Sequence, residues 1–91
     1  MDIFTIHACE QVLRFTQVDR WSDLSEEVKV QLGFNMGAMA HALELSKEDG
    51  FQALSNVRQE IISMQAFREH IKSLVGSHGI EVDKANIARP F

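Results

Sequence analysis

The sequence predicts an all-α protein, a small antiparallel bundle of three or four helices with a C-terminal arm that is expected to dimerise. Two observations predict this class. Apolar residues recur at spacings of three and four through most of the 91-residue chain, and the 45% hydrophobic content is that of an ordinary folded domain. A chain of this length forms one domain. We divide it into a helical bundle at residues 1–76 and an arm at residues 77–91, which packs on the bundle or on a partner subunit.

The first predicted helix follows Asp2 and runs to about Gln17. Asp2 suits its start, because a carboxylate there accepts hydrogen bonds from backbone N–H groups that have no partner within the helix. Two adjacent apolar rows are expected to be buried: one consists of Phe4, Ala8, Val12 and Phe15, and the other of Ile6, Cys9 and Leu13. The side expected to face solvent consists of His7, Glu10, Gln11, Arg14 and Gln17. Cys9 is the only cysteine, and its place in the apolar rows predicts an inert buried thiol.

The second predicted helix contains the most informative part of the chain, residues 28–45. It begins at Ser22 or Ser25, and at about 100° per residue it has apolar residues on two opposite sides. One stripe consists of Val28, Leu32, Met36, Met39 and Leu43, and the opposite stripe consists of Val30, Phe34, Ala38 and Leu45, with His41 among them. A surface helix normally has a single apolar stripe, so the second one predicts a partner, most simply another copy of this protein.

Two glycines support this interpretation. Gly33 and Gly37 lie one turn apart between the stripes, and each costs about 1 kcal/mol relative to alanine inside a helix. They either let a partner helix approach closely or make room for a bulky neighbour in the chain's own core. The predicted interface consists of Val30, Gly33, Phe34, Gly37, His41, Leu45 and Ile62.

Residues 47–75 form one helix or two, and the periodicity does not decide between them. Within this range, residues 57–75 show the clearest single apolar face, and Gly76 is placed to end that helix in a left-handed C-cap. Ile62 is the exception. It projects to the polar side, near Phe51 if the helices are continuous, and forms either a small satellite cluster or a second contact surface.

The arm contains four spaced apolar residues, Ile80, Val82, Ile87 and Phe91. Asp83 is placed to cap a short turn that extends through Ala88, and Pro90 stops it. Such a pattern predicts an arm that packs either on its own subunit or across a dimer.

No catalytic, metal or cofactor motif was found. The four histidines include no pair at a spacing of four, and a single cysteine excludes zinc-finger spacing. The chain has no phosphate-binding glycine loop, dinucleotide fingerprint or nucleophile elbow. We therefore expect no enzyme, no cofactor and no metal site.

One local resemblance concerns His41. The run Ala40-His41-Ala42-Leu43, followed by Ser46, is similar to the phosphoacceptor helix of histidine-phosphotransfer domains. In that family the histidine is followed two residues on by Leu, and then by Lys, Gly and Ser. Glu44 replaces the lysine here, and its charge repels a phosphate. The resemblance implies a phosphotransfer-like module with His41 as the acceptor.

Charge and composition narrow the functional classes. The net charge of −4 disfavours nucleic acid as the main partner, and polar residues interrupt residues 28–45 too often for a membrane span. A lone cysteine fits the reducing cytoplasm. We expect a small cytoplasmic protein-interaction module, an adaptor, chaperone-like factor or inhibitor, that acts as a homo-oligomer and binds another protein. The alternatives are a helical transcriptional regulator linked to nucleic acid, which tight binding of duplex DNA would support, and the phosphotransfer-like module.

Overall fold

The computed structural model describes residues 2–91, in which every regular element is helical and no strand occurs, so the all-α part of the prediction is confirmed. The helices are α1 (Ile3–Phe15), α2 (Glu26–Ala42), α3 (Ala53–Arg58), α4 (Met64–Ser77) and α5 (Lys84–Ile87). A 3₁₀ turn at Trp21–Asp23 precedes α2, and a π-helical turn at Glu48–Gln52 leads directly into α3. No helix within residues 2–91 is long and apolar enough to cross a membrane.

The helix starts follow local sequence signals. The Asp2 carboxylate accepts hydrogen bonds from the backbone N–H of Thr5 at 2.8 Å and from its hydroxyl at 3.0 Å. These bonds hold the pKa of Asp2 below its usual value, because they stabilise the charged form. Ser25 caps α2 and Asp83 caps α5, each by accepting from a backbone N–H of the first turn, as predicted.

The core is formed by α1, α2, α3 and α4. On α2 the predicted inner stripe is confirmed, since Leu32, Met36 and Met39 are fully buried. On α1 the buried side begins at Thr5, and Phe4, predicted to be in the core, is 82% exposed. Glu10, predicted to face solvent, is only 5% exposed, because the C-terminal arm covers that part of α1.

The prediction of one helix over residues 57–75 was wrong, because a non-helical turn at residues 59–63 separates two helices. α3 ends at Arg58, and Glu60 takes a left-handed backbone conformation with φ of 57°. The N–H of Ile61 donates to the carbonyl of Asn56 at 2.8 Å, which closes a Schellman motif. Ser63 then caps α4. Residues 47–75 therefore contain two helical segments.

The break also reverses the prediction for the two isoleucines within it. Ile61, expected on the buried face, is 65% exposed, whereas Ile62, expected on the polar side, is half-buried and packs against the core. A helical projection cannot place residues that lie outside a helix.

The C-terminal cap of α4 lies three residues later than predicted, at Gly79. Gly79 has φ of 67°, and the N–H of Ile80 donates to the carbonyl of Val75 at 3.1 Å. Gly76, predicted as the cap, lies inside α4. A Cβ added at either glycine would meet nothing within 4 Å, so only the backbone conformation distinguishes them.

This difference predicts opposite effects of the same substitution. We expect Gly79→Ala to lower the free energy of unfolding by about 1 kcal/mol, because a left-handed conformation is strained once a Cβ is present. Gly76→Ala raises it by about 1 kcal/mol, because alanine favours the helix interior. Urea denaturation measures both. A shift in the same direction for the two variants would contradict the assigned cap.

The arm lies on α1 of the same chain. The buried Glu10 carboxylate accepts a hydrogen bond from the backbone N–H of Asp83 at 2.7 Å and another from Asn86 Nδ2 at 3.0 Å. Ile80 is buried and Ile87 is half-buried against the core. The arm is therefore held by both polar and apolar contacts with α1.

The last residues of the arm are held by Arg14. Its guanidinium donates to the carbonyls of Arg89 at 3.1 Å and Pro90 at 2.7 Å. It also lies over the rings of Phe15 and Phe91, with centroids at 5.3 and 5.5 Å, and these rings form an edge-to-face pair 5.4 Å apart. Phe91 thus completes the cover over the end of α1.

Candidate interaction surface

The outward side of α2 is apolar along its middle. Val30 is 72% exposed and Phe34 is 79% exposed, and Ala38 and His41 follow on the same side. We call these four residues the outer stripe. The inner side of the same helix packs in the core. The apolar residues of the outer stripe are left exposed by the rest of the chain.

The two glycines beside the outer stripe are half-buried, but each leaves open space where a side chain would stand. A Cβ added at Gly33 or Gly37 would meet no atom within 4 Å. The alternative that they accommodate a bulky neighbour of the chain's own core is therefore wrong. Gly50 is different, because a Cβ there would lie 3.2 Å from the Cβ of Ala40. Gly50 is thus the point where the following helical segment approaches α2 closely.

Two grooves run between α2 and residues 48–58. The first groove has a volume of about 420 Å³, and its walls include Lys29, Val30, Gly33 and Phe34 on one side and Leu54 and Arg58 on the other. The second groove has a volume of about 410 Å³, and its walls include Gly37, His41, Glu44 and Leu45, with Phe51 opposite. Both grooves border the outer stripe.

The grooves differ in charge. The first contains two cations, Lys29 and Arg58, and one carboxylate, Glu26, which gives a charge of +1. Glu26 is already paired with Lys29 at 2.9 Å, so Arg58 carries the surplus charge. The second contains the carboxylate of Glu44 and, with His41 neutral, has a charge of −1. The first groove is thus net positive and the second groove net negative.

The first groove contains three of the predicted interface residues, Val30, Gly33 and Phe34, and the second contains Gly37, His41 and Leu45. Leu45 lies beyond the helix, because α2 ends at Ala42 and Glu44 takes a left-handed conformation with φ of 52°. Ile62 lies elsewhere, in a smaller groove of about 130 Å³.

The sequence reasoning missed the opposite wall of both grooves. Phe51, Leu54 and Arg58 form this wall, because the chain reverses after α2 and returns along it. The only local signal was Gly50, whose missing side chain permits the contact with Ala40.

Cys9 and His41 are the two titratable side chains for which the sequence raised a chemical role. Burial and the neighbouring charge of Glu10 raise the pKa of the Cys9 thiol to about 11, so this thiol stays protonated at neutral pH. Across residues 2–91, no three His, Cys, Asp or Glu side chains are grouped so as to hold a metal ion. His41 is exposed in the last turn of α2, and Glu44 lines the same groove.

Comparison of the chain with protein-family models, with curated proteins and with solved structures gave no match in any of the three. No relative therefore supplies a ligand, a partner or a reaction for it. The outer stripe and the two grooves are the features from which a function can be inferred.

Proposed function

We propose that this chain is a small protein-interaction module that works as a homo-oligomer, with the outer stripe of α2 as its contact surface. The observation that carries the proposal is the combination of exposed Val30 and Phe34 with the open backbone at Gly33 and Gly37. Single exposed apolar residues are normal on soluble proteins. A continuous apolar stripe beside a cleft is typical of a binding surface.

A second copy of the chain fits this surface best. A two-fold interface uses the same patch on both subunits, so the patch must contain both a projecting group and a recess. Phe34 projects and is 79% exposed, and the strip at Gly33 and Gly37 forms a recess beside it. A projecting ring next to a recess supports a contact between two copies of the same patch.

The free energy gained by burying apolar side chains also favours a second copy of the chain as the partner. A chain of 91 residues buries only about 60–65% of the surface of its unfolded form, so its own core has little stability to spare. Burying a large apolar side chain contributes about 1.5–3 kcal/mol, and a two-fold contact counts each such side chain twice. Association through Val30 and Phe34 thus adds stability that the single chain lacks.

In this role the protein acts by binding, as an adaptor, chaperone-like factor or inhibitor of another protein. We place it in the cytoplasm, because its one cysteine is a protonated, buried thiol rather than half of a disulfide. Its acidic composition and the mixed charge of the grooves suit a protein partner better than a nucleic acid.

The glycines provide the test. We expect Gly33→Ala and Gly37→Ala each to raise the stability of the monomer by about 1 kcal/mol. Each also weakens self-association at least about fivefold, because the added methyl groups overpack a close helix contact. Sedimentation equilibrium measures association, and urea denaturation in the monomer range measures stability.

Gly76→Ala is the matched control, since it lies in α4 and also meets nothing within 4 Å. It gives the same gain in stability with unchanged association. The proposal is wrong if the Gly33 and Gly37 variants behave as this control does.

A further inference from the structure

We infer that two copies pair with their α2 helices antiparallel, so that the first groove of each subunit lies against the second groove of the other and Arg58 faces Glu44 of the partner subunit. This inference rests on the proposed function, because it specifies the partner and the orientation at the same surface. It is carried by the positions of the glycines, by the charges of the two grooves and by the exposed surface available.

The spacing along α2 favours this arrangement. The helix runs over Glu26–Ala42, and Gly33 and Gly37 lie symmetrically about position 35, close to its middle. A two-fold axis near that position places Gly33 opposite Gly37 of the partner subunit. Phe34 then lies over the recess at Gly37 of the partner subunit, so both projecting rings fill a cleft.

The charges of the grooves favour the antiparallel orientation over the parallel one. Antiparallel pairing brings the +1 first groove against the −1 second groove of the other subunit, at both ends of the contact. Parallel pairing places Arg58 near Arg58 of the partner subunit and Glu44 near Glu44 of the partner subunit. The helix dipoles also attract when antiparallel and repel when parallel.

The area that a stable dimer buries is large enough that residues 48–58, the second wall of the grooves, must also belong to the contact. A stable dimer buries about 800 Å² on each subunit. That is about one seventh of the 5599 Å² that this chain exposes, and the outer stripe is too narrow to supply it alone. In the antiparallel arrangement Phe51 and Arg58 on residues 48–58 also contact the partner, which widens the interface beyond α2.

Charge reversal tests the orientation. We expect Glu44→Arg and Arg58→Glu each to weaken dimerisation about tenfold at low salt, because each reversal changes two attractive contacts per dimer into repulsive ones. The variant with both changes restores dimerisation to within about threefold of the original chain, and high salt reduces all of these differences. A parallel dimer gives no loss with either single change, since like charges already face each other there.

Cross-linking gives a second, independent readout. A Gly33→Cys chain is mixed with a Gly37→Cys chain of different mass at several hundred micromolar, a concentration chosen to offset the weaker association that a Cβ at these positions causes. The mixture is oxidised mildly, and the buried Cys9 stays out of reach of the reagent. Antiparallel pairing yields mainly the mixed product, because a disulfide requires Cα atoms about 4.4–6.8 Å apart and like positions are displaced along the axis. Products that join like positions overturn the orientation but leave the proposed function standing. If the unsubstituted chain stays monomeric at high micromolar concentration, both the orientation and the proposed function are overturned.

Discussion

Replacement of Phe34 by alanine is expected to weaken self-association by about thirtyfold or more. Two phenyl rings leave the interface of each dimer, and full burial of such a ring contributes about 1.5–3 kcal/mol. Partial burial of both rings therefore accounts for at least about 2 kcal/mol, which is about thirtyfold in the dissociation constant. The ring is 79% exposed in the single chain, so the stability of the monomer should change by less than about 0.5 kcal/mol.

Ile61→Ala is the control for this prediction. Ile61 is 65% exposed but lies in the break between α3 and α4, and neither groove includes it. Its removal lowers surface hydrophobicity without touching the outer stripe. Equal losses of association from the two variants would mean that the contact is nonspecific.

The second large effect is expected at Glu10. Glu10→Ala should lower the free energy of unfolding by about 2–3 kcal/mol, because hydrogen bonds to a charged group are worth about 1.5–3 kcal/mol and the Asp83 N–H loses its acceptor in a partly buried position. Asn86 loses the same carboxylate, so the arm detaches more readily from α1. Urea denaturation measures the loss. Hydrogen exchange should show faster exchange at residues 80–91 than in the original chain.

Glu69→Ala provides the comparison for Glu10. Glu69 is exposed on α4, and its contact is an exposed pair with Lys72 at 3.5 Å, which is worth little. Its stability should change by less than about 0.5 kcal/mol. If Glu10→Ala is equally mild, the buried carboxylate is not what holds the arm.

Features of this fold that depend on local chemistry could be predicted from the sequence. Asp2, Ser25 and Asp83 are caps because their side chains reach backbone N–H groups of the next turn. The inner stripe of α2 was predictable because one helix face repeats every three or four residues.

Features that depend on distant contacts could not be predicted. The apolar spacing from Val57 through Ile61 to Met64 continues across the break, so periodicity alone joined two helices. Glu60 adopts a left-handed conformation that glycine usually occupies, and its residue type gives no warning of the turn. The local sequence predicts Glu10 to be a surface residue. It is buried because the arm, more than seventy residues later in the chain, packs over it.

The candidate interaction surface also has one part that the local sequence predicts and one part that depends on distant contacts. The outer stripe was predictable because its residues share one helix face. The wall formed by Leu54 and Arg58 was not, because it depends on where the chain returns after α2. The charge difference between the grooves could not be predicted either, because Arg58 reaches the first groove only when residues 48–58 fold back along α2.

The most direct measurement of self-association is the weight-average mass by sedimentation equilibrium, from about 1 μM to several hundred micromolar, a range that spans ordinary dimer affinities. The single chain has a mass of 10.3 kDa. Self-association through the outer stripe predicts a rise toward twice that mass, with the curve displaced to higher concentration for Phe34→Ala and unmoved for Ile61→Ala. A mass that stays at 10.3 kDa throughout, or a rise that Phe34→Ala leaves in place, would contradict it.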